Sequence, residues 1–405
     1  MKILFLTDCF LPHAGGARVY YHNLYTGLAS HLGHTVTILT TLVPGSKEFD
    51  ADHATRHYQI IRKGRPLADW RWFRWPRLVP VLVRALLLIK KLRPDAIHFG
   101  DLFPQGFTCL LLNRFFAFEY VGYCHGEEIT QTDKRRFQPL VRNAIYARAS
   151  MVIAASDFAV RNLIRIGVAP ERIVKINPGV NCQRLATSER DRAMVVDRHQ
   201  LHGRRVLLTV SRLCSHKGHA LVIRALSQLL PRIPSLCYLI VGRGAEEQRL
   251  KALAAELGVT HAVRFAGFVP DELLPAYYGV CDVFVMPSYE ESETGNAEGF
   301  GMVFLEAGAA GKPVIAGASG GTDESVLEGI TGYRVADVPE LIDRLSSILE
   351  DPAHAQQIGE QGSARVRAEF AWTERTAALD RLVRMSVFQS QITTATSRAS
   401  EAGQV

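Results

Sequence analysis

Two glutamates and a glycine-rich loop stand close together in residues 296–317, NAEGFGMVFLEAGAAGKPVIAG. Glu298 lies among the glycines, whose backbone amides can approach a ligand closely. Glu306 lies on a helix that we predict to begin near Met302, and the free N–H groups of a helix start favour an anion. A carboxylate beside a phosphate needs hydrogen-bond donors, which sugar hydroxyls supply. The pattern indicates a site for a phosphate-linked sugar; a solvated loop glutamate and a helix-capping glutamate are the alternative.

Two cations and a pair of glycines fit the same chemistry. In TVSRLCSHKG, Arg212 follows the predicted first strand of the second half, and Lys217 stands five residues later, before a helix. Arginine grips phosphate through two parallel hydrogen bonds, whereas lysine acts as a point charge. In PHAGGARVYY, Gly15 and Gly16 precede the first helix and predict another loop that a phosphate can approach. Exposed surface cations and an ordinary turn are the alternatives.

The elements that position these residues alternate between short apolar strands and helices in both halves of the chain. Such alternation predicts parallel sheets with helices on both faces. We therefore predict an α/β protein of two Rossmann-like domains facing each other across a cleft, with ligands at the carboxyl ends of the strands. The domains are predicted at 1–185 and 204–370, separated by the polar stretch 182–203. A helix at 371–386 is expected to cross back to the first domain, and 387–405 to be disordered.

Composition and charge narrow the classes of function. The 405 residues carry a formal net charge of +7, which suits nucleic acid, anionic membranes or phosphorylated substrates as partners. No nucleic-acid motif accompanies this charge, so we expect no nucleic-acid partner. The seven cysteines form no C-x-x-C pair and suit a reducing cytoplasm. The start MKILFLTDCF turns polar too soon for a signal peptide and predicts a buried strand.

A series of short motifs follows the order found in one enzyme family. SRLCSHKG, IVGRG, GFVP, EGFGMVFLEAGAAGKPVIA, GGTDESV and GITGYRV make the chain similar to the family-4 retaining glycosyltransferases of GT-B fold, most strongly over 205–335. The resemblance implies that Arg212 and Lys217 hold the donor diphosphate. It implies that Glu306 binds the ribose hydroxyls and that Glu298 contacts the transferred sugar. It further implies contacts to the diphosphate from Gly16, to the nucleobase from Phe268 and Val269, and to the phosphates and sugar from the backbone of Gly299, Phe300, Gly301, Met302 and Val303.

A histidine after a first-domain strand extends the resemblance. In YCHGEE, His125 matches a site histidine of the family, and with Arg212, Lys217 and Glu298 it completes the implied catalytic set. Related mannosyltransferases that act on phosphatidylinositol mannosides carry H-G-H-E, whereas Glu127 stands here in place of the second histidine. GASGGTDESV looks like mannosyltransferases that use GDP-mannose, so the sequence favours that donor and leaves a UDP-sugar as the alternative.

The implied reaction moves a hexose from a nucleotide-diphosphate sugar, the co-substrate, with retention and without a metal or another cofactor. In the usual front-face account of the family, the acceptor hydroxyl loses its proton to the departing phosphate while Glu298 positions the sugar. One Asp-x-Asp pair, Asp50 and Asp52, falls in a predicted loop after the second strand, and we interpret it as solvated surface. A sugar-nucleotide epimerase and a non-catalytic nucleotide-sugar-binding protein are the rival classes.

An aromatic and basic segment suggests the kind of acceptor. Within 62–93, tryptophans alternate with arginines ahead of a helix predicted at Leu78–Leu92, namely Trp70, Arg71, Trp72, Arg74, Trp75 and Arg77. Such side chains suit a membrane interface, although the helix is too short and too charged to span a bilayer. We expect the first domain to bind a glycolipid, lipid-linked or polysaccharide-precursor acceptor, with 62–93 on an anionic membrane surface. The expected location is cytoplasmic, peripheral on the inner face of the membrane; a packed loop with solvated arginines is the alternative.

Overall fold

The chain folds into two compact units, which a computed structural model describes for residues 1–385 except 9, 14, 52–56, 65–74 and 117. One unit comprises Met1–Pro178 and the segment that begins at Trp372, and the other comprises Gly179–Ala371. Each contains one parallel sheet with interleaved helices, so the prediction of two Rossmann-like α/β domains is confirmed. The tail predicted at 387–405 lies outside the described residues. Within those residues, no helix combines the length and apolarity needed to cross a membrane.

The first unit has a seven-stranded sheet in the order β3-β2-β1-β4-β5-β6-β7. Its strands are β1 Lys2–Leu6, β2 Thr35–Thr40, β3 Gln59–Arg62, β4 Ala96–Phe99, β5 Tyr120–Cys124, β6 Met151–Ala154 and β7 Ile173–Lys175. Its helices are α1 Gly16–His31, α2 Ser46–Ala51, α3 Trp75–Leu92, α4 Phe107–Asn113 after a π-helical turn at Leu102–Gly106, α5 Glu127–Asp133, α6 Gln138–Arg148 and α7 Asp157–Arg165. The inner strands are apolar along almost their whole length because helices cover both faces of a parallel sheet.

A helix over residues 372–385 also belongs to the first unit. The ring of Trp372 packs against that of Tyr20, with 6.0 Å between the ring centroids. His34 Nε2 lies 2.6 Å from Asp380 Oδ1, so a polar contact fixes the same helix next to the start of β2. The last described part of the chain is therefore anchored both by an aromatic contact and by a hydrogen bond.

The second unit has a six-stranded parallel sheet in the order β10-β9-β8-β11-β12-β13. Its strands are β8 Arg205–Val210, β9 Leu236–Val241, β10 Val263–Gly267, β11 Val283–Met286, β12 Val314–Gly317 and β13 Gly332–Val335. Its helices are α8 Glu189–His199, α9 His219–Leu229, α10 Glu247–Glu256, α11 Leu274–Val280, α12 Met302–Ala309, α13 Thr322–Ser325, α14 Val338–Glu350 and α15 Pro352–Glu369. The prediction that a helix begins near Met302 is confirmed.

The strand order of the second sheet reverses between β8 and β11, which are hydrogen-bonded neighbours. After β8 the chain proceeds to β9 on one side, and after β11 it proceeds to β12 on the other. The two loops that leave these strands therefore diverge and open a crevice at the carboxyl edge of the sheet. Such a reversal point is where open α/β sheets bind their ligands.

The prediction that Asp50 lies in a loop is wrong, because this residue lies in the short helix α2. Its carboxylate accepts hydrogen bonds from Arg62 Nε at 2.8 Å and from Arg62 Nη2 at 2.8 Å. The guanidinium of Arg62 is almost fully buried, so Asp50 is a structural partner that neutralises a buried cation. Asp52 lies outside the described residues.

Candidate active site

The crevice of the second unit brings together the lysine and the first glutamate selected from the sequence. Lys217 follows β8 in a 3₁₀ turn, Ser215–Lys217, and Glu298 lies in the loop after β11. Lys217 Nζ lies 2.6 Å from Glu298 Oε2, and the two side chains are only 13% and 11% exposed. A cation and an anion held at this distance with little solvent contact each fix the position of the other.

Glycines allow the loops around this ion pair to approach closely. Gly218 has a φ of +75°, and a Cβ there would collide with the carbonyl of Pro287, which directly follows β11. Gly320 has a φ of +62°, and a Cβ there would collide with the carbonyl of Glu298. Gly321 N–H donates to that same carbonyl at 2.9 Å. The loop after β12 therefore packs against the backbone of Glu298 and is hydrogen-bonded to it, which restricts the conformations of Glu298.

A second carboxylate, that of Glu291, joins the loops after β8 and β11. It accepts hydrogen bonds from Ser215 Oγ, from Thr294 Oγ1 and from Asn296 Nδ2. These bonds, above all that from Ser215, lower the pKa of Glu291 below its ordinary value. The carboxylate thus stays ionised and holds the 289–296 loop against the turn that carries Lys217.

Glu306 lies about one turn into α12, which begins at Met302, and is partly buried. Burial raises its pKa to about 7, although the hydroxyl of Tyr278 donates to Glu306 Oε2 at 2.6 Å and opposes that rise. The helix starts at Gly301, a left-handed residue with a φ of +85° that has no side chain to cap the first amides. An anion at this helix start would meet free N–H donors.

The remaining residues predicted in the second unit fall into three groups, which are exposed, buried and partly exposed. Arg212 is exposed at the end of β8, and Phe268 is 59% exposed after β10, so both side chains can reach a ligand. Val269 and Phe300 are buried in the apolar core, which leaves only their backbone for ligand contacts. The expectation of a nucleobase contact at the GFVP segment therefore rests on Phe268. Gly299, Met302 and Val303 lie at the surface of the loop and of the first turn of α12, partly exposed.

In the first unit, His125 follows β5 and packs against two tyrosines. Its Nε2 lies 2.7 Å from the hydroxyl of Tyr21, and that hydroxyl donates its proton to Gly100 O at 2.8 Å. The imidazole must therefore donate from Nε2, which leaves Nδ1 as the acceptor in the neutral ring. Burial lowers the pKa of His125, and the negative charge of Glu128 opposes this shift. Glu128 Oε1 also accepts a hydrogen bond from the backbone N–H of His125 at 2.8 Å.

Gly16 is exposed, but it is the first residue of α1 and not part of the predicted loop, which ends at the helix-capping Gly15. Glu127 opens α5 beside His125, at the position where the related pattern has its second histidine. The sequence alone did not reveal Tyr21 and Tyr278, because tyrosines on apolar helices are ordinarily core residues. One signal was present, since a buried tyrosine hydroxyl needs a hydrogen-bond partner.

Comparison with known proteins adds independent findings. The sequence profile described as Glycosyl transferases group 1 matches residues 195–365, and that described as Glycosyltransferase Family 4 matches residues 14–184. A GDP-mannose-dependent alpha-(1-6)-phosphatidylinositol monomannoside mannosyltransferase of Mycolicibacterium smegmatis is 31% identical over 390 residues, which cover 94% of this chain and 98% of the relative.

Two solved structures share the architecture. A sucrose-phosphate synthase from Thermosynechococcus elongatus has a TM-score of 0.80 and 26% identity, over 95% of this chain and 98% of that one. Anabaena Alr3699/HepE in complex with UDP-glucose has a TM-score of 0.79 and 22% identity, over 95% of this chain and all of that one. The second similarity concerns the fold alone.

Proposed function

The chain belongs to the glycosyltransferases of group 1 and family 4, with the GT-B fold, and from that premise we propose that it transfers mannose from GDP-mannose to a hydroxyl of a glycolipid. The name of the mannosyltransferase that is 31% identical over nearly the whole chain specifies this donor and this acceptor class. A phosphatidylinositol bearing mannose is therefore the first acceptor to test.

One observation carries the proposal: the Lys217–Glu298 ion pair at the reversal point of the second sheet. Breaking the bond between a sugar and a diphosphate builds negative charge on the leaving oxygen. Lys217 is already fixed there, and the exposed Arg212 follows the same strand. Preorganised positive groups stabilise such developing charge, typically by several kcal/mol. The proposal assigns this task to the two cations and the start of α12, with no metal or further cofactor.

Glu298 is assigned a positioning role in a front-face, retaining reaction. Its carboxylate is already engaged by Lys217 Nζ and its backbone is clasped by Gly321, so it is held in one place. The cation lowers the nucleophilicity of the carboxylate, whose remaining lone pairs can still accept a hydrogen bond from a sugar hydroxyl. In this account the acceptor oxygen bonds to the anomeric carbon, the bond to the diphosphate breaks, and the acceptor proton passes to the departing phosphate.

The glycolipid part of the proposal draws on an exposed apolar stripe along α3. Val79, Val83 and Leu87 are 57%, 48% and 60% exposed and follow one another at four-residue spacing on one side of the helix. Lys90 and Lys91 follow in the last turn. Apolar side chains flanked by cations complement an anionic lipid surface. We propose that this stripe rests on the membrane together with Trp70 and Trp72, which lie outside the described residues.

A transfer assay tests the proposal directly. The purified full chain would be incubated with radiolabelled GDP-mannose or UDP-glucose, with a mannosylated phosphatidylinositol acceptor in mixed micelles. We expect label to enter the lipid from GDP-mannose, with unchanged rate in excess EDTA and with the product in the donor's anomeric configuration. Transfer from UDP-glucose alone would contradict GDP-mannose as the donor. Loss of activity in EDTA would contradict the proposal that protein cations, and not a metal ion, stabilise the leaving diphosphate. Binding of GDP-mannose without turnover would favour a nucleotide-sugar-binding protein.

A further inference from the structure

Tyr278 is a buried tyrosine whose hydroxyl ends at the carboxylate of Glu306. It lies on α11, is fully buried, and its ring packs against Phe284 with 5.8 Å between the centroids. Its hydroxyl donates to Glu306 Oε2 at 2.6 Å. A phenylalanine would fill the same apolar space, so the hydroxyl serves the carboxylate and not the packing of the core.

The contact leaves the second carboxylate oxygen available. Within the described part of the chain, no residue donates to Glu306 Oε1. The other ionisable groups that act on this carboxylate are Asp271, in the loop after β10, and Arg184, in the turn before α8. The charge of Asp271 disfavours the ionised form of Glu306, and that of Arg184 favours it. Of Asp271, Arg184 and Tyr278, only Tyr278 makes a hydrogen bond to the carboxylate.

We propose that Tyr278 is a positioning residue for nucleotide recognition: it holds Oε2 of Glu306 so that Oε1 faces the vicinal hydroxyls of the ribose. The inference rests on the proposed function, in which Glu306 receives the ribose of the donor. A short hydrogen bond from a rigid, buried ring holds one oxygen of this carboxylate. A vicinal diol then meets a carboxylate that is already oriented, and less rotational freedom is lost on binding.

The same hydrogen bond favours the charged form of Glu306. Burial raises the pKa of this carboxyl to about 7, and the Tyr278 hydroxyl acts to lower it. Removing the hydroxyl raises the pKa further, so at pH 7 the carboxyl becomes mostly protonated and accepts hydroxyl protons poorly. Raising the pH should restore the ionised form, which gives the proposal a signature that a purely structural tyrosine would lack.

The test is calorimetric titration of the full chain and of Tyr278→Phe with GDP and with 2′-deoxy-GDP, between pH 7 and pH 9. We expect Tyr278→Phe to weaken GDP binding about tenfold at pH 7 and to recover most of it at pH 9. The preference for GDP over 2′-deoxy-GDP should shrink in the variant. Tyr277→Phe is the matched control, since its buried hydroxyl contacts His199 at 2.9 Å and should leave both quantities unchanged.

The outcomes distinguish a failure of the proposed function from a failure of the proposed role of Tyr278. A wild-type chain that binds no GDP overturns the proposed function, whereas a wild-type chain that binds GDP and a variant that binds equally well at all pH values overturn only the role of Tyr278. If Tyr278→Phe does not fold, 3-fluorotyrosine at position 278 replaces it, because its more acidic hydroxyl is the stronger donor. Tighter GDP binding at pH 7 then supports the proposal, and unchanged binding overturns it.

Discussion

Lys217 Nζ and Glu298 Oε2 are 2.6 Å apart, although 81 positions separate the two residues in the chain. The loops that carry them leave adjacent strands, β8 and β11, on opposite sides of the point where the strand order reverses. A nucleotide sugar that places its diphosphate near Lys217 would therefore bring its sugar within reach of Glu298. The same pair orders the crevice and provides the two kinds of charge that the proposed donor requires.

Lys217→Ala should weaken GDP-mannose binding roughly 10- to 100-fold, because a charge-assisted contact to the diphosphate is lost. It should also lower the melting temperature, since Glu298 would lose its cationic partner in a mostly buried place. Calorimetry and thermal unfolding measure the two effects. Lys251→Ala is the matched control, because Lys251 is paired with Glu247 on the exposed surface of the same unit.

The double variant Lys217→Ala/Glu298→Gln separates the two effects of that substitution. Removing the negative charge should restore most of the lost melting temperature but none of the lost donor affinity. Wild-type-like binding by Lys217→Ala would contradict the phosphate assignment. Recovery of affinity in the double variant would mean that Lys217 acts only by neutralising Glu298.

Tyr21→Phe should lower kcat about tenfold while leaving the Kd for GDP-mannose unchanged. The Tyr21 hydroxyl gives its proton to Gly100 O and accepts from His125 Nε2, so it fixes the tautomer of the imidazole. Without it, the neutral ring is free to exchange tautomers. Tyr25→Phe is the control, because the buried Tyr25 hydroxyl contacts His98.

The ¹⁵N shifts of His125 would show the tautomer directly in both proteins. We expect a protonated Nε2 in the wild type and a mixture in Tyr21→Phe. A wild-type ring protonated at Nδ1, or an unchanged kcat in Tyr21→Phe, would show that this hydrogen bond does not prepare His125 for catalysis.

The fold and the position of Lys217 and Glu298 in loops were predictable because they rest on local patterns. Strand and helix periodicities gave two parallel α/β domains, and Lys217 and Glu298 stood out as charged residues in loops that follow buried strands. Their partnership was not predictable, since it depends on which strands are neighbours in the sheet. The tyrosines were missed for the same reason: Tyr21 is 104 positions from His125, and Tyr278 is 28 positions from Glu306.

The direction in which individual side chains point was also not predictable from the sequence. Phe268 and Val269 are adjacent and were given the same predicted contact, yet one is exposed and the other is in the core. Which of two neighbours turns inward after a strand depends on the packing of the next loop. Likewise Asp50 follows a strand, but the buried Arg62 draws it into a short helix and an ion pair.

Glu306 should make the stability of the chain depend on pH. Its folded pKa of about 7 exceeds the ordinary value of 4.5, so the folded chain binds an extra proton between these values. The unfolding free energy should therefore fall as pH rises through this window, by about 3 kcal/mol. Glu306→Gln cannot titrate, so its stability relative to the wild type should increase by that amount between pH 4.5 and pH 8.

Buried histidines act in the opposite direction, which makes the difference between variants the proper measurement. Burial lowers the pKa values of His216 and His219 to about 4, so both favour unfolding as pH falls from 6.5 to 4. They are present in both proteins and cancel in the comparison. Urea unfolding at the two pH values gives the difference, and a value that does not change with pH would rule out the titration of Glu306.

The apolar stripe of α3 predicts binding to anionic lipid. Val83→Gln/Leu87→Gln should weaken binding of the full chain to phosphatidylglycerol-containing vesicles about tenfold, because two largely exposed apolar side chains lose their contact with the bilayer. Lys90→Glu/Lys91→Glu should weaken it further at low salt and reduce its salt dependence, since the electrostatic attraction is then reversed. Ile330→Gln is the control, because Ile330 is 50% exposed in the second unit. Vesicle sedimentation measures the binding of the wild type and of the three variants. A wild type that stays in the supernatant at low salt would contradict a lipid contact through α3. So would an Ile330→Gln variant that loses as much vesicle binding as Val83→Gln/Leu87→Gln.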